Sequence, residues 1–356
     1  MKVLHLVNAK VIGGGERYVY DLAANTDVDK VVIAADSSCK EVFDLYRNRF
    51  DTLDVILRSV MGLGALPSLV RFIRKEHIDI LNCHSGTLAF LSVLLKKLCP
   101  WLKLVVFRHN VRPNRRDFLH RWLQKHFDAI ICVSKAVYDV QRATIAEHDK
   151  NKLHLVYNGV DLQKFSKYPE KTYELHDVLQ LGFAGRVVKN KGVEIALAAL
   201  AKLKQEGIEF QFKIAGPCDD DYREILQQYI ADKDLNDEVQ FLGVQNDMEK
   251  FYKSIDILLA PSIVKEAFGL SVSESMYCGT PVITSNSGGQ TEIITDGKDG
   301  IILKNLSSEE LAKEIKQLSE PDVYEKLQRN GKNKIVHKFA MTLCATKISE
   351  IYYYSR

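Results

Sequence analysis

The sequence predicts a protein of the α/β class with two domains, each a doubly wound parallel sheet. Three observations lead to this prediction. Apolar runs of strand length alternate with helical patterns through residues 2–157, and the same alternation begins again at residue 179. A polar segment without periodicity, residues 163–177, separates the two series. The length of 356 residues suits two domains better than one core.

The first series predicts the N-terminal domain. Its strands are expected over the apolar runs Lys2–Val7, Lys30–Ala35, Thr52–Leu57, Ile78–Cys83, Leu104–His109, Ala129–Val133 and Leu153–Tyr157. Its helices are expected near residues 15–25, 39–48, 65–76, 86–98, 116–126 and 135–146. Because a helical stretch separates most of these strands, we expect a parallel sheet with helices on both faces.

The second series predicts another domain of the same Rossmann-like kind. Its strands are expected at Leu179–Ala184, Phe210–Ala215, Val239–Leu242, Ile255–Ala260, Val282–Thr284 and Gly300–Leu303. Its helices are expected to include Val193–Gln205, Asp221–Lys233, Met248–Lys253 and Ser308–Leu318, followed by a helical tail after Gly331. We predict an N-terminal domain of residues 1–162 and a C-terminal domain of residues 163–338, facing each other across a cleft.

The composition favours a soluble cytosolic protein, with 46% hydrophobic and 27% charged residues. The apolar run Leu88–Leu95 is too short to span a bilayer, and the first strand meets Gly13 too soon for a signal peptide. Seven cysteines without a C-x-x-C pair indicate reduced thiols. The net charge is +3, but residues 1–163 alone carry 24 Lys and Arg against 17 Asp and Glu.

One segment, Pro261–Ile283, combines the features of a sugar-diphosphate site. It follows an apolar run and continues into a helix of small residues. Glu266 lies in the loop before this helix, and Glu274 lies about one turn into it. Between the two carboxylates, the helix N-terminus would present backbone N–H groups to phosphate oxygens from Phe268, Gly269, Leu270 and Ser271. A sugar joined to a diphosphate and a ribose would fit this combination.

The run E-A-F-G-L-S-V-S-E from Glu266 to Glu274 resembles the signature of the retaining glycosyltransferases of family 4, which have the GT-B fold. The resemblance covers almost the whole chain. It implies that a UDP- or GDP-sugar donor binds the C-terminal domain, where Glu266 holds sugar hydroxyls and Glu274 binds the ribose. It also implies that the N-terminal domain faces the acceptor. The last helix would cross back to that domain near Phe339, adding residues 339–356 to it.

Other residues match motifs of this family in the N-terminal domain and beyond. The loop Gly13–Arg17 resembles its G-G-x-E-R loop, in which Gly14 and Gly15 would let the backbone approach the donor. His109 resembles the histidine that reaches the transferred sugar, although a surface or packing role remains open for it. Gln245 would lie beside the nucleobase, and this is the weaker match.

Arg186 and Lys191 are the predicted cations of the site. They lie five residues apart around a turn after the first strand of the second domain, where both could hold a diphosphate. They also match the G-R…K-G element of the family. We expect them to neutralise charge on the leaving nucleotide without a metal. No cofactor is expected apart from the nucleotide-sugar co-substrate.

The run Asp219-Asp220-Asp221 is the one motif that invites a metal interpretation, because metal-dependent glycosyltransferases use Asp-x-Asp. These residues follow Gly-Pro and precede a helical pattern, so we assign them to a helix cap and first turn and predict no metal site. No carboxylate clearly suits a covalent glycosyl-enzyme intermediate. The resemblance implies retention by front-face attack, in which a donor phosphate oxygen helps to remove the acceptor proton.

Residues 108–125 form a basic segment with six Lys or Arg and one Asp. Its apolar residues recur at helical spacing, namely Phe118, Leu119, Trp122 and Leu123. Such a helix can lie on an anionic membrane or grip an anionic acceptor, but one solvated face and one core face explain the pattern equally well. Lipid-linked acceptors are usual in bacterial members of the family, which favours peripheral association with the inner face of the cell membrane. Nucleic acid is not an expected partner.

The predicted function is retaining, metal-independent transfer of a sugar from a nucleotide-diphosphate sugar to a lipid-linked or envelope glycan. Two alternatives remain open. A non-catalytic sugar-nucleotide-binding partner of another glycosyltransferase would show damaged motifs, and none is visibly damaged. A sugar-nucleotide epimerase of the same fold would need acid and base groups that we cannot place.

Overall fold

The computed structural model describes residues 1–57, 60–115, 117–172 and 175–354. The chain divides into two compact units, here called unit 1 (Met1–Gly159 and the segment from Met341) and unit 2 (Val160–Ala340). Parts of three predicted segments lie outside the described residues. These are Arg116 of the basic segment, residues 173–174 of the second predicted domain and residues 355–356 of the predicted tail.

Unit 1 contains a seven-stranded sheet in which every pairing is parallel. Its strands are β1 (Lys2–Leu6), β2 (Lys30–Ala35), β3 (Asp51–Asp54), β4 (Ile80–Cys83), β5 (Lys103–Arg108), β6 (Ala129–Cys132) and β7 (Leu153–Leu155). They lie in the order β3-β2-β1-β4-β5-β6-β7. Its helices are α1 (Gly14–Asn25), α2 (Lys40–Arg47), α3 (Leu66–Glu76), α4 (Ala89–Leu98), α5 (Phe118–Lys125) and α6 (Lys135–Thr144).

Unit 2 repeats this architecture with six parallel strands. They are β8 (Leu179–Ala184), β9 (Phe210–Ala215), β10 (Val239–Gly243), β11 (Ile257–Ala260), β12 (Val282–Ser285) and β13 (Ile301–Leu303), in the order β10-β9-β8-β11-β12-β13. Its helices are α7 (Val193–Gln205), α8 (Asp220–Asp232), α9 (Met248–Lys253), α10 (Leu270–Tyr277), α11 (Gln290–Ile293), α12 (Ser308–Leu318) and α13 (Pro321–Lys338).

The predicted fold class of two doubly wound α/β halves is confirmed. The central strands are buried on both faces, which explains why they are continuous apolar runs and not alternating ones. Short polar side chains begin several helices by accepting a backbone N–H, among them Asp117 for α5, Ser134 for α6, Asp247 for α9 and Ser307 for α12.

One strand boundary was wrong, because β3 ends at Asp54 and not at Leu57. Helix α11 was not among the predicted helices. The tail after Gly331 is helical, as predicted, but Gly331 itself is buried inside α13, where an added Cβ would lie 3.2 Å from the carbonyl oxygen of Asp299. Glycine at this position inside the helix permits close packing.

The last helix, α14 (Met341–Tyr354), belongs to unit 1, so the predicted return of the C-terminal helix is confirmed. The hydroxyl of Tyr18 in α1 lies 3.6 Å from Sγ of Cys344. The amide of Asn82 in β4 hydrogen-bonds the hydroxyl of Tyr352. All four of these side chains are buried, which fixes α14 against α1 and β4.

No helix within the described residues has both the length and the apolar character needed to cross a membrane. The most apolar helix pattern in the sequence, α4, has only ten residues and ends in Lys96 and Lys97.

Candidate functional site

Both sheets reverse their strand order beside their first strand. In unit 1 the reversal lies between β1 and β4, and in unit 2 it lies between β8 and β11. At such a point the connections after the two neighbouring strands leave in opposite directions, so a crevice remains outside their carboxyl ends. A ligand site is therefore expected at each of these two crevices.

The crevice of unit 2 brings two predicted residues into direct contact. The ammonium Nζ of Lys191 lies 2.6 Å from Oε1 of Glu266. The same carboxylate oxygen accepts a 2.6 Å hydrogen bond from the hydroxyl of Ser262. The side chains of Lys191 and Glu266 remain 26% and 16% exposed, so the pair lies in a recess that a ligand can reach.

Backbone contacts hold the two loops of this crevice together. The turn that ends at Lys191 is followed by Gly192, whose φ is +74° and where a Cβ would lie 2.0 Å from the carbonyl oxygen of Pro261. In the neighbouring loop, the N–H of Ile263 donates to the carbonyl of Asn190 at 2.9 Å. Only glycine can occupy position 192 at this distance and φ. The backbone therefore fixes the two loops that carry Lys191 and Glu266 close to each other.

A second glycine pair, Gly288-Gly289, supports Glu266 from the other side. The N–H of Gly289 donates to the carbonyl of Glu266 at 2.8 Å. A Cβ at Gly288 would lie 2.3 Å from that same carbonyl oxygen, and φ there is +62°. The pair follows β12 and was not predicted as part of the site. The run of small residues before helix α11 could have indicated this glycine pair. Its contact with Glu266 joins distant parts of the sequence, so no local pattern predicts it.

Helix α10 begins beside Glu266, as predicted. Gly269 is its N-cap, with φ +118°, and Phe268 before it is buried. Because the amides of Leu270 and Ser271 lie in the first turn, they have no acceptor inside the helix. Glu274 is the fifth residue of α10, and its Oε2 accepts a 2.8 Å hydrogen bond from the hydroxyl of Tyr252. The cradle of amides and the second carboxylate thus lie on the same helix, one turn apart.

Three further predicted elements of unit 2 follow its strands without joining the ion pair. Arg186 follows β8, and its exposed guanidinium makes no ion pair or hydrogen bond within the described residues. Gln245 follows the edge strand β10, and its Nε2 donates to the carbonyl of Leu242 at 2.7 Å. The acidic run 219–221 occupies the N-cap and first turn of α8. No group of three or more potential ligands among the described residues could hold a metal ion.

In unit 1 the glycine loop begins helix α1. The N–H of Gly13 donates to Oε2 of Glu16 at 2.9 Å, which caps the helix, and Gly14 and Gly15 are its first two residues. Neither glycine has a positive φ. A Cβ at Gly15 would meet no atom within 4 Å. The fold of unit 1 therefore does not require glycine at position 15.

His109 belongs to a row of three histidines, here called the histidine row, in which His5 is fully buried and His84 and His109 are partly buried. Nε2 of His109 lies 3.1 Å from Nδ1 of His84, and Nε2 of His84 lies 2.9 Å from Nδ1 of His5. The far nitrogen of His5 lies 3.4 Å from Nδ2 of Asn82, which also contacts Tyr352 of α14. The row thus crosses the crevice between β1 and β4 and ends on the last helix.

Each link of the histidine row joins an Nδ1 to an Nε2, so three neutral rings must share one tautomer. Burial lowers the pKa of His109 to about 4 and that of His5 to about 3. Burial, with smaller contributions from the charges of its two neighbours, also lowers the pKa of His84. The rings are therefore neutral at pH 7, and the hydrogen bond at Asn82 selects which nitrogen of His109 carries its proton.

The sequence analysis missed His5, His84 and Asn82. A usable signal was present, because His5 and Asn82 are polar residues inside apolar strands. The two are register partners in the pair β1–β4, so their side chains meet only after the sheet has formed. His84 follows β4 just as His109 follows β5, and these strands are neighbours.

Comparison with known protein families agrees with this geometry. Residues 12–164 match the family described as Glycosyltransferase Family 4, and residues 164–334 match the family described as Glycosyl transferases group 1. The chain belongs to the family 4 glycosyltransferases. The predicted enzyme class is thereby confirmed, and the epimerase and the non-catalytic partner are not supported.

Known proteins resemble the chain over nearly its whole length. It is 23% identical to the Escherichia coli UDP-Gal:alpha-D-GlcNAc-diphosphoundecaprenol alpha-1,3-galactosyltransferase, with 99% of this chain and 96% of the relative covered. A glycosyltransferase structure from Rickettsia africae superposes with a TM-score of 0.85 at 22% identity, covering 99% and 98% of the two chains. The Anabaena protein HepE, in complex with UDP and glucose, gives 0.82 at 20% identity and 98% coverage of both. At these identities the structures establish the GT-B fold.

The Gly288 contact predicts a stability difference between two glycines of positive φ. Gly288→Ala should destabilise unit 2 by at least about 2–3 kcal/mol, because backbone strain adds to the collision with Glu266. Gly297→Ala is the matched control, since Gly297 has φ +67° and no atom within 4 Å of an added Cβ; it should cost only about 1 kcal/mol. Thermal unfolding followed by circular dichroism gives the loss of stability in each variant. Equal losses would contradict a close contact between Gly288 and Glu266, here called the clasp.

The local effect of Gly288→Ala can be measured by hydrogen exchange. Amides in residues 261–293 should exchange faster in this variant, because the bond from Gly289 to Glu266 is lost. Both tryptophans, Trp101 and Trp122, lie in unit 1, so the fluorescence-detected unfolding of unit 1 should not change.

The histidine row predicts acid sensitivity of unit 1. Folding lowers the pKa of these histidines, so below pH 6.5 the unfolded chain binds protons that the native state does not. The free energy of unfolding is therefore highest above pH 6.5 and decreases as the pH falls toward 4. Each unit of lowering is worth about 1.4 kcal/mol. Denaturant unfolding followed by tryptophan fluorescence at pH 7, 6, 5 and 4 should therefore show a falling free energy of unfolding.

Variants separate this effect from general acid destabilisation. His84→Gln removes one titrating ring, so its free energy of unfolding should fall less steeply with pH than that of the wild type. His337→Gln changes a residue of α13 in unit 2, so the unfolding of unit 1 that the two tryptophans report should keep the pH dependence of the wild type. Identical slopes for all three proteins would mean that the row does not titrate as inferred.

Proposed function

We propose that this glycosyltransferase moves a sugar, with retention and without a metal, from a nucleotide-diphosphate sugar to a lipid-linked or envelope glycan. The observation that carries the proposal is the Lys191–Glu266 pair at the crevice of unit 2, directly before the first amides of α10. The Escherichia coli relative is named for a UDP-galactose donor, and the Anabaena structure contains UDP and glucose. These names favour UDP over GDP as the nucleotide.

The diphosphate would be held by cations and backbone amides. An ammonium has three N–H donors, so Lys191 can keep its bond to Glu266 and still donate to phosphate oxygens. The amides of Leu270 and Ser271 add donors and the positive end of a helix dipole. The exposed guanidinium of Arg186, on the loop after β8, would complete the set. These groups are suited to the charge that develops on the leaving diphosphate.

The carboxylates would recognise the two sugars of the donor. Glu274 accepts from Tyr252 and would accept from a ribose hydroxyl. Glu266 would accept from hydroxyls of the transferred sugar, because its Oε2 accepts no hydrogen bond from the described residues. The negative charge of Glu266 is compensated by Lys191, which makes this carboxylate a poor nucleophile. Its pairing therefore favours front-face attack over a covalent glycosyl-enzyme.

In this mechanism the bond from the anomeric carbon to the diphosphate oxygen breaks as the acceptor hydroxyl bonds the same face of the sugar. The electron pair leaves with the nucleoside diphosphate, and the acceptor proton passes to a phosphate oxygen of that leaving group. His109 would orient the transferred sugar by a hydrogen bond from its ring. Gly15 would give the donor space, and Gln245 would lie near the nucleobase.

The acceptor side rests on residues of unit 1. The Escherichia coli relative is named for a diphosphoundecaprenol-linked acceptor. In this chain Phe118 of α5 is 86% exposed, and Arg121 and Lys125 on the same helix are exposed as well. These residues would suit the predicted contact of segment 108–125 with an anionic membrane surface. That contact stays a prediction, which co-sedimentation with anionic vesicles would test.

Donor identity is testable by thermal-shift screening with UDP-, GDP- and ADP-sugars. UDP-sugars should give the largest increase in the melting temperature, because binding to the native state alone stabilises it by mass action. The increase, and turnover with the same donor, should be unaffected by EDTA, because protein cations and amides are proposed to replace a metal. Loss of both after EDTA treatment would refute the metal-free proposal.

The two glutamates should have separable effects. Glu274→Gln should weaken UDP binding roughly tenfold, the cost of about one hydrogen bond to a charged group. Glu266→Gln should leave UDP binding within about twofold but reduce kcat roughly 100-fold, since it contacts the reacting sugar and not the nucleotide. Calorimetry with UDP and steady-state kinetics give the two numbers.

Glu224→Gln, an exposed substitution on α8 with the same loss of charge, is the control and should change neither quantity. Wild-type turnover by Glu266→Gln would remove the proposed sugar-binding role of that residue. Unchanged UDP affinity in Glu274→Gln would remove the proposed ribose contact.

A further inference from the structure

Unit 1 contains a cavity of about 740 Å³ whose arginines take no part in the proposed donor contacts. It opens beside the histidine row, because His84 and His109 both line it. Most of its remaining wall comes from the loops after β4 and β5 and from helices α4, α5 and α6, and every lining residue belongs to unit 1. Its chemistry can therefore be described without reference to unit 2.

The wall of this cavity includes Arg108, which has no acidic partner among the described residues. Its Nε is fully buried and has no hydrogen-bond partner within that part of the chain. Its Nη2 reaches only Oδ1 of Asn114, at 3.5 Å, and its guanidinium lies 5.9 Å from the ring centre of Phe127. Burial also lowers the pKa of Arg108. A largely buried guanidinium is costly to keep unpaired, so this one indicates a missing anion.

The other arginines of the described lining add positive charge to that of Arg108. Arg112 and Arg115 line the same cavity, are exposed, and form no ion pair with the described residues. None of the described lining residues is Asp or Glu. With three arginines and no carboxylate, the cavity would attract and hold an anion of more than one negative charge.

The loop that carries these arginines is held in place. The N–H of Asn114 donates to Oγ1 of Thr144 at 3.0 Å, and Nε2 of Gln141 donates to the carbonyl of Arg112 at 2.7 Å. Thr144 and Gln141 are both on α6, so the loop is fixed to that helix. The guanidinium groups are thus presented by an ordered loop, as a binding site requires.

Apolar side chains form the remaining wall. Phe90, Leu123 and Phe127 line the cavity, and the partly exposed Leu119 and Met61 lie at its edge. An inorganic anion needs no such wall. An anionic group attached to an apolar chain would use both parts of the cavity, because burying the chain is favourable while the arginines neutralise the charge.

We propose that this cavity is an acceptor site for a phosphate-ester group: Arg108, with Arg112 and Arg115, binds the phosphate or diphosphate of a lipid-linked acceptor. The proposal rests on the proposed transferase function, because it names the chemical class of that acceptor. The phosphate lies on the arginines, the first part of the lipid lies on Phe90 and Leu123, and the acceptor sugar extends toward His109. A guanidinium fork matches phosphate oxygens in pairs, which explains arginine in place of lysine.

Three probes separate the phosphate from the lipid. Farnesyl diphosphate carries both parts, inorganic pyrophosphate carries only the anion, and farnesol carries only the apolar chain. With the full chain, calorimetry should show the tightest binding for farnesyl diphosphate, weaker binding for pyrophosphate and the weakest for farnesol. Equal affinity for pyrophosphate and farnesyl diphosphate would support the anion site and reject the lipid part. Equal affinity for farnesol and farnesyl diphosphate would overturn the phosphate assignment.

Arg108→Leu should weaken farnesyl diphosphate binding about tenfold or more, while UDP affinity stays within about twofold. Arg108→Lys keeps the charge but loses the fork, so it should restore only part of the affinity. Arg47→Gln on α2 makes the same change of charge outside the cavity and should have no effect. If Arg108→Leu does not fold, the exposed pair Arg112→Gln and Arg115→Gln carries the test, with the same expected loss.

The two proposals fail separately in this experiment. If the chain binds UDP but binds farnesyl diphosphate equally well in wild type and Arg108→Leu, the acceptor site is wrong and the proposed donor site stands. If the wild type does not bind UDP, the proposed donor site is wrong, while the prenyl probes still report on the cavity. Loss of UDP affinity in Arg108→Leu would assign the arginine to the donor and would also overturn the acceptor site.

Discussion

The reversal of strand order beside the first strand is the constraint on which both units depend. Parallel strands place all their carboxyl ends on one edge of a sheet, and the reversal leaves one gap there that no connection covers. In unit 2 this gap lies outside the carboxyl ends of the paired strands β8 and β11, and the loops after these strands carry Lys191 and Glu266. The strand order brings the two loops together, and the opposite charges of Lys191 and Glu266 then form the 2.6 Å contact.

Glycines convert this topological closeness into a fixed geometry. Gly192 meets Pro261, and Gly288 meets Glu266, at distances that exclude any Cβ. A third glycine, Gly216 after β9, would place a Cβ 1.8 Å from the carbonyl oxygen of Gly185. Each of these contacts joins loops that follow different strands. The backbone at the crevice is therefore packed as closely as a core, and the carboxylate of Glu266 has little freedom to move.

The sequence was sufficient to predict the fold because the residues that specify each helix or strand lie in or next to that element. Apolar runs, helix caps and turn residues lie within a few positions of the element that they specify, and the thirteen strands found in the described residues were all anticipated. Lys191, Glu266 and Glu274 could be predicted for a similar reason, since each lies in a short recognisable motif. The clasp of Gly288 on Glu266 could not, because it joins residues 22 positions apart through a loop whose path only the folded chain defines.

The same reasoning explains why the proposed acceptor side of unit 1 was harder to predict. His5, His84 and His109 come from three different strands or strand ends, and no spacing in the sequence connects them. Polar side chains at these positions make folding less favourable than aliphatic ones would, because a polar group loses its hydration when it is buried. The unpaired Arg108 adds to this cost in the adjacent cavity. No acidic group among the described residues compensates that cation, and the proposed acceptor phosphate would supply the missing charge.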